Sequence, residues 1–233
     1  MDVDDFKNGQ VLIIDKPLNW TSFQVVNKIR WAIRKKFNLK KIKVGHAGTL
    51  DPLATGILVI CTGKMTKKIN QFQAESKEYT GTITLGATTP SFDLETEIDK
   101  QFPTDHITES LIQSTADSFK GTIQQKPPLY SAIKKDGVRL YELARKGEQT
   151  EIKSREVVIY EFDISKIEFP IVHFRIKCSK GTYIRSIAND FGVQLKSGGH
   201  LSSLRRTKSG EFNVDASKTL ESFIKEFNDE SIT

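Results

Sequence analysis

Hydrophobic and polar positions alternate or recur with clear periods along much of this chain. Val11 to Asp15 reads as a short buried strand, and Ile57-Leu58-Val59-Ile60 as the apolar centre of another. From Lys77 to Leu85 the pattern has period two, with Tyr79, Gly81, Ile83 and Leu85 on one face and threonines on the other, which predicts a strand. Arg155–Ile167 and Ile171–Cys178 read as two strands joined at Pro170. Helical spacing appears after Thr21 or Ser22, either of which can cap a helix carrying Val26, Ile29, Ile33 and Phe37 along one face. Thr108 caps a second helix with apolar Leu111, Ile112 and Phe119. Further helices are expected over Val138–Lys146, ended by Gly147, over Tyr183–Leu195 after Gly181, and over Ala216–Phe227. Strands and helices interleave without a regular repeat, which predicts an α+β fold around a mixed, mainly antiparallel central sheet flanked by helices and loops. Thr88 to Asp105 is acidic and rich in Thr, Ser and Pro, and reads as a mobile surface insertion.

Composition narrows the class. At 233 residues, with 37% hydrophobic and 27% charged positions, the chain is long enough to bury a sizeable core. No apolar run is long enough to cross a bilayer, and the start Met-Asp-Val-Asp-Asp has neither a basic region nor an apolar one, so a cytoplasmic protein is expected. Cys61 and Cys178 lie far apart in apolar contexts and are expected to be reduced and buried. Four scattered histidines offer no metal-ligand spacing, so no metal or cofactor is expected.

The net charge is +6 and the pI about 9.1, which permits a polyanionic partner without demanding one. Placement says more. Lysines and arginines cluster at Arg30–Lys43, Lys64–Lys68, Lys134–Arg145 and Arg205–Lys208. Taken singly, each cluster is a solvated face. Together, beside the motifs below, they fit an RNA phosphate track.

The most informative segment runs from Val44 to Leu58, reading Val-Gly-His-Ala-Gly-Thr-Leu-Asp-Pro-Leu-Ala-Thr-Gly-Ile-Leu. It sets one carboxylate, Asp51, in a loop punctuated by Gly45, Gly48, Pro52 and Gly56, directly before the apolar run. Proline biases the aspartate before it toward an extended conformation, and glycine permits close approach of a ligand. An Asp-Pro turn alone would be unremarkable. The whole segment closely resembles the active-site motif of the TruB family of pseudouridine synthases. Other segments carry the same resemblance in order: Asp15 to Ser22, Lys77 to Gly81, Gln125 to Lys134 followed by Gly137, Tyr141, Ala144 and Arg145, Cys178 to Ser186, and Gly199 to Thr207. Two positions depart from the family pattern. Ala47 stands where threonine is common, and Asn19 where glycine is usual, though Asn tolerates the left-handed turn best among other residues.

The resemblance implies a pseudouridine synthase fold and isomerisation of uridine 55 in the T arm of tRNA, without a cofactor and without an obligatory protein partner, by a monomer. It implies a catalytic domain over residues 1–212 and a short helical tail over 213–233 in place of a full C-terminal PUA domain. Asp51 is then the catalytic carboxylate, as nucleophile or as base toward the ribose. Arg185 offers it an ion pair in a closed pocket, and Tyr79 stacks on the target uracil with its hydroxyl placed to take the C5 proton. Tyr183 and Leu204 line the same pocket, and His46 lies at the RNA surface. Lys16, Lys126, Lys134 and Arg145 are implied RNA contacts by motif, while Lys64, Arg205 and Arg206 rest on charge alone. The flipped base is repaid by stacking and edge hydrogen bonds. Three other readings compete: a catalytically silent RNA chaperone that remodels the tRNA elbow, a guide-RNA-dependent relative inside a ribonucleoprotein, and a hydrolase using Asp51. The last lacks a paired acid, a triad or a metal cluster.

Overall fold

The computed structural model describes residues 2–131, 133–135, 137–145 and 152–229; the side chains at 134, 135, 139, 141, 144, 145 and 227–229 lie outside that description. The chain divides into two compact units, Met1–Tyr79 with Leu204–Thr233, and Thr80–Ser203. Both combine helices with sheet, as the α+β reading expects, and parallel and antiparallel pairings both occur.

In the first unit the strand Val11–Lys16 pairs antiparallel with Ala54–Thr62 and parallel with Lys218–Thr219. Ala54–Thr62 also pairs antiparallel with Val44–His46 and, at its start, parallel with Leu204 to Arg206. Its Ile57, Leu58, Val59 and Ile60 have no exposed surface, which accounts for the unbroken apolar run. The helix Ser22–Lys36 is capped by Thr21, whose hydroxyl accepts from Gln24 N–H while the Gln24 side chain accepts from Thr21 N–H. Val25, Val26, Ile29, Ala32 and Ile33 bury one face of this helix against the sheet, together with Leu220 and Phe223 of the helix Leu220–Asp229. The C-terminal residues therefore complete the core of this unit. Their helix begins at Leu220, four residues later than periodicity suggests, because Val214–Ala216 forms a short 3₁₀ turn and Lys218–Thr219 an edge strand.

The second unit is built on the antiparallel hairpin Arg155–Glu168 with Ile171–Cys178, extended by Gly121–Gln125. The helices Glu109–Ser118 and Ile184–Gln194 belong to it, the first capped by Thr108 as expected. Phe119, Phe162, Phe174 and Phe191 form its aromatic centre, with ring centroids 5.6–6.2 Å apart. Two local expectations change. Val138–Arg139 pairs with Lys134–Lys135, and the helix starts only at Leu140; the intervening Asp-Gly dipeptide is a hairpin signal that helical periodicity obscured. The Thr88–Asp105 segment is only partly a surface insertion. Ala87–Thr88 pairs with Lys100–Gln101, and Thr89, Ser91 and Asp93 are buried, while residues 97–103 are exposed.

Cys61 and Cys178 are both buried and neither is in a disulfide, and burial pushes the Cys61 thiol up to about 11. No helix among the described residues is long and apolar enough to cross a membrane.

If the C-terminal helix is core of the first unit, Phe223→Ala lowers unfolding free energy by about 3–5 kcal/mol. Urea unfolding followed by circular dichroism measures this, and a loss below about 1 kcal/mol would show the helix to be a detachable tail.

Candidate active site

The loop around Asp51 is held by backbone hydrogen bonds on both sides of the carboxylate. Ala47 N–H donates to Val59 C=O at 2.8 Å, and Ala54 N–H to Asp51 C=O at 3.1 Å. Ser22 Oγ accepts from Leu50 N–H at 2.8 Å and donates to Leu50 C=O at 3.1 Å. Thr21 is thus the cap of the helix, which frees the Ser22 hydroxyl to clamp the loop. Asn19 N–H donates to Pro52 C=O at 2.9 Å, and Asn19 adopts φ 62°, the left-handed turn expected of it. Gly56 has φ 102°, and a Cβ there would stand 2.2 Å from the Arg206 carbonyl oxygen, so only glycine lets the two strands close at the base of the loop.

Two buried cations complete the clamp. Lys16 has no exposed surface, and its Nζ donates to Trp20 C=O at 2.6 Å, to Pro17 C=O at 2.9 Å and, more weakly, to Pro52 C=O at 3.4 Å. Arg206 is 1% exposed; its Nε donates to Ile57 C=O at 2.8 Å and its Nη2 to Gly48 C=O at 3.2 Å. Burial lowers the Lys16 pKa to about 8, partly opposed by the Asp51 carboxylate and reinforced by Arg206. Burial, with help from Arg206, also lowers the His46 pKa, so this half-buried ring is neutral at pH 7. The motif reading of Lys16 and the charge reading of Arg206 as RNA contacts both meet buried side chains here: Lys16 donates to carbonyls of Pro17, Trp20 and Pro52, and Arg206 to those of Ile57 and Gly48. Arg205, on the opposite side of the same strand, is partly exposed and forms a two-point ion pair with Asp15, Nη2 to Oδ2 at 2.7 Å and Nη1 to Oδ1 at 3.1 Å.

The first unit thus gathers Lys16, His46, Asp51 and Leu204. Leu204 is opposite Ala54 in the strand register, directly after the loop. Tyr79, 8% exposed, lies in the same unit on the strand Lys77–Leu85.

The second unit gathers Arg185, Tyr183 and Lys126. Tyr183 caps the helix Ile184–Gln194 and is fixed by Gln125, which is fully buried. The Gln125 amide accepts from Tyr183 N–H at 2.8 Å and donates to Tyr183 C=O at 3.0 Å. The Arg155 guanidinium lies over the Tyr183 ring, 4.6 Å from its centroid. Arg185, the second residue of the helix and 3% exposed, has Nε 3.5 Å from Asp93 Oδ2 and donates from Nη1 to Ser91 C=O at 3.1 Å. Asp93 was hidden in a segment whose composition reads as solvated, so it was missed as a site residue. Ser186 Oγ donates to Lys126 C=O at 2.8 Å, leaving the exposed Lys126 side chain directed by a fixed backbone. The side chains of Lys134 and Arg145 lie outside the described residues. Among the described residues no group of three His, Cys, Asp or Glu side chains has metal-site geometry.

Comparison with known proteins follows this geometry. The family model for TruB family pseudouridylate synthase, N-terminal domain, matches residues 34–184, and that for the tRNA pseudouridylate synthase B C-terminal domain matches residues 185–232. The tRNA pseudouridine synthase B of Flavobacterium johnsoniae is 61% identical over 215 residues, covering 92% of this chain and 94% of that protein. Its namesake in Phocaeicola vulgatus is 55% identical over 219 residues, covering 94% of this chain and 93% of that protein. Among solved structures, a chain of a Cbf5-Nop10-Gar1 complex aligns with TM-score 0.73 and 30% identity over 100% of this chain. A chain of an H/ACA RNP bound to a substrate RNA containing 2'-deoxyuridine aligns with TM-score 0.69 and 28% identity over 98%. This chain spans 60% and 57% of those two solved chains. The chain belongs to the TruB family of pseudouridylate synthases.

The adjacent arginines should differ in stability cost. Arg206→Met strands two buried carbonyls and is expected to cost about 2–4 kcal/mol. Arg205→Met removes a partly exposed pair and should cost less than about 1 kcal/mol. Urea unfolding of both variants checks this, and equal losses would contradict the clamp. Lys16 gives a pH test. Its folded pKa is below its unfolded one, so between about 8 and 10.5 the unfolded chain binds the extra proton and stability rises with pH. Relative to Lys16→Met, the wild type should therefore gain stability, on the order of 3 kcal/mol, between pH 7.5 and pH 10.5. A flat difference across that window would show that burial does not shift this lysine.

Proposed function

We propose that this member of the TruB family isomerises uridine 55 in the T loop of tRNA to pseudouridine, with Asp51 as the catalytic carboxylate. The observation that carries the reading is the Asp51 loop itself. Its backbone is hydrogen-bonded at Ala47, Gly48, Leu50, Asp51 and Pro52, so the carboxylate is held in one pose before any substrate arrives. The buried ammonium of Lys16 and guanidinium of Arg206 lie beneath the same loop, bonded to the carbonyls of Pro52 and Gly48.

The reaction breaks the N1–C1′ bond of uridine, turns the uracil, and forms the C5–C1′ bond, after which C5 loses its proton. No oxidant, reductant or metal is needed, so one carboxylate and a base-holding pocket suffice. Asp51 acts as nucleophile or as base toward the ribose. Tyr79 stacks on the uracil and takes the C5 proton, Tyr183 and Leu204 hold the base, and Arg185 supplies the cation. His46 fills the space the uridine leaves when it flips. Lys126, Lys134 and Arg145 meet the T-arm backbone. The protein works in the cytoplasm as a monomer on tRNA alone, with no guide RNA.

The test is tritium release from unmodified tRNA carrying 5-³H-uridine. Wild-type protein is expected to release the label, and Asp51→Asn to abolish release while still binding tRNA. If wild-type protein binds the tRNA and releases nothing, the proposed activity is wrong.

A further inference from the structure

The outer face of the Ser22–Lys36 helix plays no part in the site described above, yet it carries the strongest charge imbalance in the chain. Between Lys16 and Leu50 there are nine lysines and arginines and no acidic residue, so these residues alone exceed the net charge of +6 and the rest of the chain is net negative. Some of these cations are used internally: Lys16 as above, and Arg30, whose Nη2 donates to Val44 C=O at 2.8 Å. Others are not. Lys28, Lys35, Lys40, Lys41 and Lys43 are exposed, and none forms an ion pair with a carboxylate among the described residues.

An aromatic ring sits among them. Trp31 is 52% exposed, on the face opposite the buried Val25, Ile29 and Ile33. Gln24, Lys28, Trp31 and Lys35 fall on one helical stripe. The ammonium groups of Lys28 and Lys35 stand 5.4 Å and 5.0 Å from the Trp31 ring centroid. Two ammonium groups against a half-exposed tryptophan make a poor seat for an apolar protein surface, which would have to desolvate both. A ring between two cations instead suits a polyanion that also has planar faces: the base or ribose stacks on the indole while the ammonium groups turn to the flanking phosphates.

The helix also fixes where this surface stands. Its start, Ser22, is hydrogen-bonded to Leu50 next to Asp51. Trp31 is nine residues further on, about 14 Å along the axis at 1.5 Å per residue. That is too far to touch the target nucleotide and close enough to meet RNA a few nucleotides away.

We propose that Lys28, Trp31 and Lys35 form a second RNA-contact platform, which binds the substrate RNA outside the nucleotide that reacts. The proposal rests on the RNA-modifying reading above, and it assigns these residues to affinity and not to chemistry. Two variants test it, Trp31→Ala and the pair Lys28→Glu with Lys35→Glu, using the full chain and an unmodified tRNA transcript. Filter binding over a range of salt gives Kd, and tritium release at saturating tRNA gives kcat. Trp31→Ala is expected to raise Kd about tenfold, in line with the loss of one stacked base. The double variant should raise it further and flatten the salt dependence by about two in log–log slope. Neither should change kcat. Kd within twofold of wild type for both variants would overturn the platform while leaving the catalytic reading intact. An effect of the lysine pair with none from Trp31→Ala would overturn it too, leaving only a general cationic surface. Absence of turnover in the wild type, with binding intact and the variants weaker, would count against the catalytic reading and not against the platform.

Discussion

Everything proposed for this protein depends on a flexible-looking loop being held still. Gly45, Gly48 and Gly56 would leave the backbone around Asp51 free to move. What fixes it is the set of bonds from Ala47, Asn19 and Ser22, joined by the buried cations Lys16 and Arg206, whose nitrogens reach the carbonyls of Pro52 and Gly48. The arrangement is costly, since an ammonium and a guanidinium must leave water without a carboxylate pressed against each. The gain is a loop whose backbone around Asp51 is set by the fold before substrate binds. The same cations reach back into the sheet through Ile57 and the turn at Trp20, so the loop moves only if the strands beneath it move.

The fold serves that constraint economically. The strand that follows the loop has its apolar centre fully buried, and two of its neighbours contribute to the clamp: Lys16 ends one and Arg206 lies in another. The first helix contributes through Ser22, and the C-terminal helix covers the same core through Leu220 and Phe223. In the second unit a parallel logic holds Arg185 and Tyr183. Buried Gln125 and Asp93 bind, respectively, the backbone and the guanidinium of residues at one helix start.

Much of this was legible in the sequence, and the failures have physical causes. Periodicity placed the strands Val11–Lys16 and Lys77–Leu85, and the tolerance of Asn for left-handed geometry anticipated the turn at Asn19. Motif at Lys16, and charge at Arg205 and Arg206, pointed to RNA, whereas strand alternation says which way each side chain turns. Lys16 continues the inward alternation of Leu12 and Ile14, so the strand pattern already pointed it into the core. Arg205 and Arg206 looked like one basic patch, but neighbours on a strand face opposite ways, and only one of them reaches solvent. Asp93 was hidden for the opposite reason. Acidic, Thr-rich sequence reads as solvated, and nothing local signals that a buried arginine ninety-two residues later is its partner.

The central claim is that this chain alone converts one uridine of the T loop. The most direct measurement is nucleotide-resolution mapping of pseudouridine, by carbodiimide modification and primer extension, in an unmodified tRNA incubated with the purified protein and nothing else. The account predicts a single stop, at uridine 55. A tRNA with no pseudouridine, or with pseudouridine only outside the T loop, would contradict it.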